Sequence, residues 1–480
     1  MLRFGPVRGG RMMARWPSLR AGLLMATVAG LSGCLSIGPD YAPPAVEAPA
    51  AWPSALVRQA QDPVILGVWW QEFSDPVLNG LVADALAANP DLATAQAQLR
   101  EARAQLASSA SSLGPQLDAS TSGTRSQSSR QTSTGTVRNS YSIGLDASWE
   151  ADIFGANRRG VEAAEADVQA SQESLRDVQV SMVAEVVLAY IDLRVAEARA
   201  AITEANIQSQ SETYDLAVFR QQAGLVSELD VIQARTDLDS ARAGLPSLRT
   251  TAATARNRLA VLLNRSPGEL ADRLAASAPR VPQLAREAAV GIPADTLRQR
   301  PDVRAAERKL AGQTARLGVA EAARYPSLKL SGSIGLDALT IAALQGASAG
   351  AWSLMAAISA PIFHSGQLDA NVEIADAQLE QARIAYRKSV LTALEDVENA
   401  LVTLSNALER QDRLAEATQS AREANDLAEQ RYSGGLVDFL TVLDSQRTLR
   451  NLEDTLATNA GDVATAQAQL YKALGGGWRS

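Results

Sequence analysis

Residues 390–408 read VLTALEDVENALVTLSNAL, with Val390, Leu394, Val397, Leu401, Leu404 and Leu408 spaced alternately by four and three. That spacing is the seam of a coiled coil. Around the seam, residues 362–474 contain no proline, which would remove a backbone hydrogen bond and kink a helical rod. The strong breaks are Gly366 and Ser433-Gly434-Gly435. Between them, Gln367 to Tyr432 is predicted as one helix of 66 residues, roughly 100 Å at ~1.5 Å per residue. Beyond the second break, Asp438 to Leu474 reads as a helix folding back on the first.

The same pattern occurs twice. Asn89-Pro90-Asp91 matches Arg300-Pro301-Asp302, Pro115 matches Pro326, and Gly224-Leu225-Val226 matches Gly435-Leu436-Val437, each at an offset of 211. Ile153-Phe154 matches Ile362-Phe363 at 209. Four matches in the same order make the chain a tandem duplication, so both halves should share one anatomy. The first half accordingly gives a long helix over 155–222 and a return helix over 228–263. The shorter helices over 81–111 and 302–323 supply the remaining length, so each long helix is lined by two short ones stacked end to end. The division that follows is a signal peptide over 1–33, an extended segment over 34–74, a first repeat over 75–263, a connection over 264–300, a second repeat over 301–474 and a tail over 475–480.

The N-terminus carries an address. Residues 1–33 hold five arginines and no acid, then the short apolar run 21–30, then Leu31-Ser32-Gly33-Cys34. Basic, apolar, then small residues make a secretory signal, because the apolar run is too short to span a bilayer. Met12 and Met13 are alternative starts. Leu-Ser-Gly-Cys resembles a bacterial lipobox, in which the cysteine takes an S-diacylglycerol and an N-acyl chain and becomes the mature N-terminus. Cys34 is the only cysteine, so no disulfide competes for it. Leu35 follows it in place of the aspartate that retains lipoproteins at the inner membrane, which favours the outer membrane of a Gram-negative bacterium. Leu35 to Pro63, rich in proline and alanine, reads as an extended spacer between lipid and body.

Composition excludes several function classes. Without the five signal arginines the chain holds 40 basic and 53 acidic residues, a charge of −13, which disfavours nucleic acid. His364 is the only histidine, so no His/Cys cluster can build a metal centre, and no Cys/His or Ser/His pair appears at a nucleophile motif. It falls just past a strand, where packing or an interface accounts for it better than base catalysis. No catalytic residue and no cofactor beyond the covalent lipid is expected. The abundant carboxylates lie on helix faces that solvation explains.

Two alternating stretches precede each long helix. Tyr141, Ile143, Leu145, Ala147 and Trp149 share one face against Ser142, Asp146, Ser148 and Glu150. Strands are predicted over 117–124, 141–150, 328–337 and 352–360, and the Ser/Thr/Gln-rich 125–139 reads as an exposed loop. Alternation alone equally describes a half-buried sheet of a soluble domain. The outer membrane address makes it a tilted bilayer crossing. Four strands cannot close a barrel, and an open edge is not tolerated in lipid, so several chains must each donate four.

Four segments carry a family resemblance: Arg300-Pro301-Asp302-Val303-Arg304-Ala305-Ala306-Glu307, Gly318-Val319-Ala320-Glu321-Ala322-Ala323-Arg324-Tyr325-Pro326, Arg431-Tyr432-Ser433-Gly434-Gly435 and Leu443-Asp444-Ser445-Gln446-Arg447. With these the sequence resembles the TolC-like outer membrane factors, in their lipoprotein branch of multidrug efflux channels (NodT/OprM type), over nearly all of the mature chain. The resemblance implies a homotrimer with a twelve-stranded outer membrane barrel and a periplasmic tunnel of α-helical coiled coil. It implies docking to a periplasmic adaptor and an inner-membrane RND-type pump, with passive conduction of drugs or other small toxic compounds.

By the same resemblance, the second-repeat hairpin closes the periplasmic end, with Leu440 and Asp444 at its constriction and Arg447 three residues further on the same side. The first repeat has Leu229, Gln233 and Thr236 there, so only the second carries an acid ring. Thr441 stands where some relatives have a second acid. The turns Gly224-Leu225-Val226 and Gly434-Gly435-Leu436-Val437 are expected at the adaptor-facing tips. The competing class is a structural coiled-coil lipoprotein tethering the outer membrane, which leaves the paired strands without a purpose; a lipid-anchored carboxylate hydrolase is more distant.

Overall fold

A computed structural model describes residues 36–45, 49, 51–53, 66–129, 131, 135–275, 280–284 and 293–478, the side chains of 293–295 excepted. Its residues fall into two compact units; their boundaries lie within helices except the one between Asp40 and Tyr41. One comprises Ala107–Ala163 and Thr314–Ala377 with the N-terminal residues up to Asp40, and the other Tyr41–Leu106, Ala164–Gln313 and Gln378–Ser480.

The first unit holds one antiparallel sheet of four strands in sequence order: β1 (Gln116–Gln127), β2 (Val137–Ala151), β3 (Ser327–Ala338) and β4 (Gly350–Ser359). Its register puts like with like. Leu145 faces Ile334, and Ile334 faces Trp352; Trp149 faces Leu330; Leu328 faces Ile358. Because alternate residues share a face, these positions make one apolar surface. The opposite surface is polar, with Ser120 donating to Asp146 (2.7 Å), Ser140 donating to Asp337 (3.1 Å) and Ser333 hydrogen-bonded to Ser353 (2.8 Å). Both surfaces are open within the chain: Trp352 on the apolar face is 79% exposed and Met355 on the other is 59% exposed. Among the described residues β1 and β4 each pair on one side only.

The predicted loop over 125–139 needs correcting. Arg125 pairs with Asn139, Ser126 with Arg138 and Gln127 with Val137. A ladder is built from backbone groups, so it runs on past the end of the alternating apolar residues, where side chains leave no sign of it.

The helices in chain order are α1 (Pro76–Ala88), α2 (Pro90–Ser111), α3 (Ala156–Gln222), α4 (Glu228–Leu262), the short α5 (Ala271–Ala275) and α6 (Pro293–Gln299), α7 (Pro301–Ala322), α8 (Gln367–Ser433) and α9 (Phe439–Ala473). The two long helices, α3 and α8, have 67 residues each. Asp75 caps α1 by accepting from Val77 and Leu78 N–H, with Pro76 just inside, where its missing N–H costs nothing. α4 continues through Pro246, so proline does not end the return helix.

Duplication also explains how short helices abut. Asn89, 2% exposed, donates from Nδ2 to the Leu262 carbonyl (2.8 Å) and caps α2 through Oδ1 to Asp91 and Leu92 N–H. At the 211-residue offset Arg300 donates from Nη1 to the Ala473 carbonyl (2.9 Å). Each cap thus ties the start of one short helix to the end of the other, satisfying a carbonyl that a helix terminus leaves unpaired. Arg300 reaches further, bonding Asp302 (2.7 Å) and Asp396 of α8 (3.0 Å).

In the second unit the seam is buried as its spacing requires. Val390, Val397, Leu401 and Leu404 are buried, Leu394 and Leu408 are partly so, and the central residues pack on Val463, Ala466 and Leu470 of α9. A larger core joins α1, the middle of α3 and the end of α4, with Trp69 stacked on Tyr471 at 5.1 Å. Tyr190 donates to Asp75 (2.6 Å); burial and that carboxylate push its hydroxyl up to about 12. The expected spacer is not free chain either. Trp52 is buried beside Val397 and Leu401, and Tyr41 donates to Glu307 (2.9 Å). Composition reads such a segment as extended; its described residues 36–45, 49 and 51–53 form no helix or strand, and their aromatic side chains find sites.

Candidate functional site

The two hairpin turns are built alike. α3 ends at Gln222, and Leu225 N–H reaches back to the Arg220 carbonyl (2.9 Å) across Gly224 at φ +74°. α8 ends at Ser433, and Leu436 N–H reaches the Arg431 carbonyl (2.9 Å) across Gly435, also at φ +74°. A left-handed residue closing a helix this way is a position for glycine. Leu225 and Leu436 are 73% and 77% exposed, while Val226 and Val437 are half-buried. Gly434 lies within the turn and keeps an ordinary φ.

The helices leaving the turns start differently. Ser227 and Asp230 form a reciprocal capping box on α4. On α9, Asp438 accepts from Thr441 N–H (3.0 Å) and from its hydroxyl (2.6 Å), bonds that hold the Asp438 carboxyl below the usual range. Thr441, noted in the sequence for not being acidic, is thus occupied as the partner of the cap.

α9 then divides its side chains. Phe439 and Leu443 pack with Ala217 and Ala234, and Phe439 lies against Tyr432 at 5.5 Å, over which Arg220 sits at 4.3 Å. Leu440, Asp444 and Arg447 occupy a separate, exposed face, at spacings of four and three that keep them together. Arg447 bonds chiefly to Asp237 of α4, with Nη2 at 2.9 Å and Nε at 3.0 and 3.1 Å from its oxygens, and more weakly to Asp444 at 3.4 Å. Asp237 first, and Asp444 after it, hold the Arg447 guanidinium charged and raise it further above its ordinary range.

Sequence reasoning grouped Arg447 with Asp444 and missed Asp237. A signal existed: at the 211-residue offset Thr236-Asp237 stands against Arg447-Thr448, so neighbouring positions of the duplicated helices carry opposite charges. Below this pair, Gln446 donates to Glu429 (3.1 Å), and Asn425 donates to Glu429 (3.0 Å). His364 is exposed, as are the adjacent Ile362 and Phe363, so no packing among the described residues accounts for it. Cys34 lies outside the described residues.

Known proteins match this architecture along nearly its whole length. The family described as Outer membrane efflux protein matches residues 81–265 and again 292–476, which are the two repeats. Nodulation protein T of Rhizobium leguminosarum bv. trifolii is 33% identical over 450 residues, covering 93% of this chain and 95% of that one. The probable efflux pump outer membrane protein TtgC of Pseudomonas putida is 32% identical, covering 95% of each. Among solved structures, the outer-membrane channel OprN superposes with a TM-score of 0.87 at 35% identity, covering 92% of this chain and 99% of that one. The family match over both repeats, on a chain with a two-faced sheet and paired long helices, places this protein in the outer membrane efflux protein family, as an efflux channel protein of the outer membrane.

Proposed function

We propose that three copies of this chain form the conduit of a tripartite efflux system, carrying drugs or other small toxic compounds outward without chemistry of its own. The observation that carries the reading is the four-stranded sheet with one apolar face, one polar face and two unpaired edges. In hydrocarbon each unpaired backbone group costs several kcal/mol, so the edges must be closed by further strands. Three chains give a twelve-stranded barrel whose apolar face meets lipid and whose serines and aspartates face water.

Energy for transport belongs to an inner-membrane pump of the RND type, bridged by a periplasmic adaptor. The exposed Leu225 and Leu436 at the hairpin tips, with Val226 and Val437 beside them, are the adaptor-facing residues. At the second-repeat tip Leu440 and Asp444 of three copies meet near one axis. The leucines exclude water, the carboxylates select cations, and Arg447 ties the moving hairpin to Asp237 of the first repeat. Cys34 carries an N-acyl chain and an S-diacylglycerol as a second membrane attachment. Reconstitution into planar bilayers tests the reading. Discrete, long-lived conductance steps are expected, and a purified, assembled protein that gives none would be a tether rather than a channel.

A further inference from the structure

The residues that follow the lipidation cysteine occupy a built site within the first unit. Arg159, near the start of α3, is 3% exposed and spends its guanidinium on the N-terminal segment. Nε donates to the Ile37 carbonyl (3.2 Å), and Nη2 donates to the Gly38 carbonyl (3.2 Å) and to Asp40 Oδ1 (2.7 Å). Nη1 is held by Glu162 (2.8 Å), which keeps the group aimed. From the other side, Ile37 N–H donates to the Phe154 carbonyl (3.2 Å), where β2 turns into α3.

Three glycines make room for this path. Gly38 sits at φ +96°, and a Cβ there would lie 2.5 Å from the Gly318 Cα of α7. A Cβ on Gly318 would meet the Ile37 carbonyl oxygen at 3.0 Å and Arg159 at 3.1 Å. Gly155, at φ +85°, faces Ser36.

Duplication supplies a control inside the same chain. At the second strand-to-helix junction Gly366 repeats the left-handed turn, with φ +83°, but the residue in register with Arg159 is Ala370, and Ala107 stands in register with Gly318. The two ingredients of the site, a long buried cation and a helix with a missing Cβ, occur at one junction and not at its copy. A general need of strand-to-helix junctions therefore does not explain them.

We propose that Arg159, Gly155 and Gly318 form a clasp for the peptide Ser36–Asp40, so that each chain holds its lipid-bearing end at the first-repeat junction and not at its copy in the second repeat. Ser36 is two residues from Cys34, about 7 Å of chain at most. The acyl chains are thereby kept within that distance of the junction instead of ranging over the length of a spacer. This rests on the lipidation of Cys34 in the reading above.

The test uses the full-length protein purified from outer membranes, with Ser36→Cys carrying a nitroxide and Cys34 consumed by its lipid thioether. Mass spectrometry of the N-terminal peptide is run on every sample. An immobilised spectrum is expected for the otherwise native chain. Arg159→Ala and Gly38→Ala should each give a mobile one, the second without altering any residue of a helix or strand. Ala370→Gly, at the copy, should leave the label immobile. A label that stays immobile in Gly38→Ala, or is already mobile in the native chain, overturns the clasp. Absence of lipid from Cys34 with the label still immobile overturns the lipid reading and leaves the clasp standing.

Discussion

Asn89 and Arg300 hold equivalent places in the two repeats and do the same work with different side chains. Each donates to the last turn of the helix it abuts, at Leu262 or Ala473. Removing Asn89 with alanine loses a cap and leaves the Leu262 carbonyl without its donor; about 1–2 kcal/mol of stability should go with it. Arg300→Ala should cost more, because Asp302 and Asp396 lose a nearly buried cation at the same time. Thermal dissociation of the purified protein reads both, and an Arg300 variant as robust as the Asn89 variant would contradict the assignment. A pair such as Arg447–Asp237 is a different case. Arg447 is 43% exposed, so the pair is worth only ~0–1 kcal/mol. A double-mutant cycle should nonetheless give a larger coupling for Arg447 with Asp237 than with Asp444. Periodicity alone does not draw such distinctions: it places Arg447 and Asp444 on one face, and only the duplication, which sets Thr236-Asp237 against Arg447-Thr448, points to the partner on the neighbouring helix.

Helix ends were the most legible elements. Gly224 and Gly435 stop the long helices where the sequence breaks, because a left-handed turn needs a residue without a Cβ. Photocrosslinkers at Val226 or Val437 should therefore capture the adaptor in cells; capture only from the β1–β2 end of the sheet would invert the orientation proposed. Strand interiors were legible too, since alternation fixes which residues share a face. Strand ends were not, as the ladder runs on through Arg125 to Gln127, where no apolar alternation marks it. Nor was the close approach of β2 and β3, where Gly144 lies opposite Gly335 and a Cβ on Gly335 would run into the Ile143 carbonyl. Gly335→Val should accordingly impair assembly, seen as loss of heat-resistant oligomer in gels, whereas Ser331→Val, on the same face without that crowding, should assemble normally.

At the scale of the molecule, duplication is what made the fold readable: four matched segments fixed the anatomy of both halves, and the family match returned the same two halves. What duplication hides is where the halves differ, and function concentrates there. The acid of the second tip, the Arg447–Asp237 link across repeats and the Arg159 clasp each occur in one copy only. A conduit gated at the second-repeat tip predicts that Leu440→Ala together with Asp444→Ala widens the closed end. Single-channel recording in planar bilayers measures this most directly. The double variant should assemble as the native protein does, conduct several-fold more and lose cation preference. Conductance and selectivity unchanged in an assembled double variant would contradict a gate at Leu440 and Asp444.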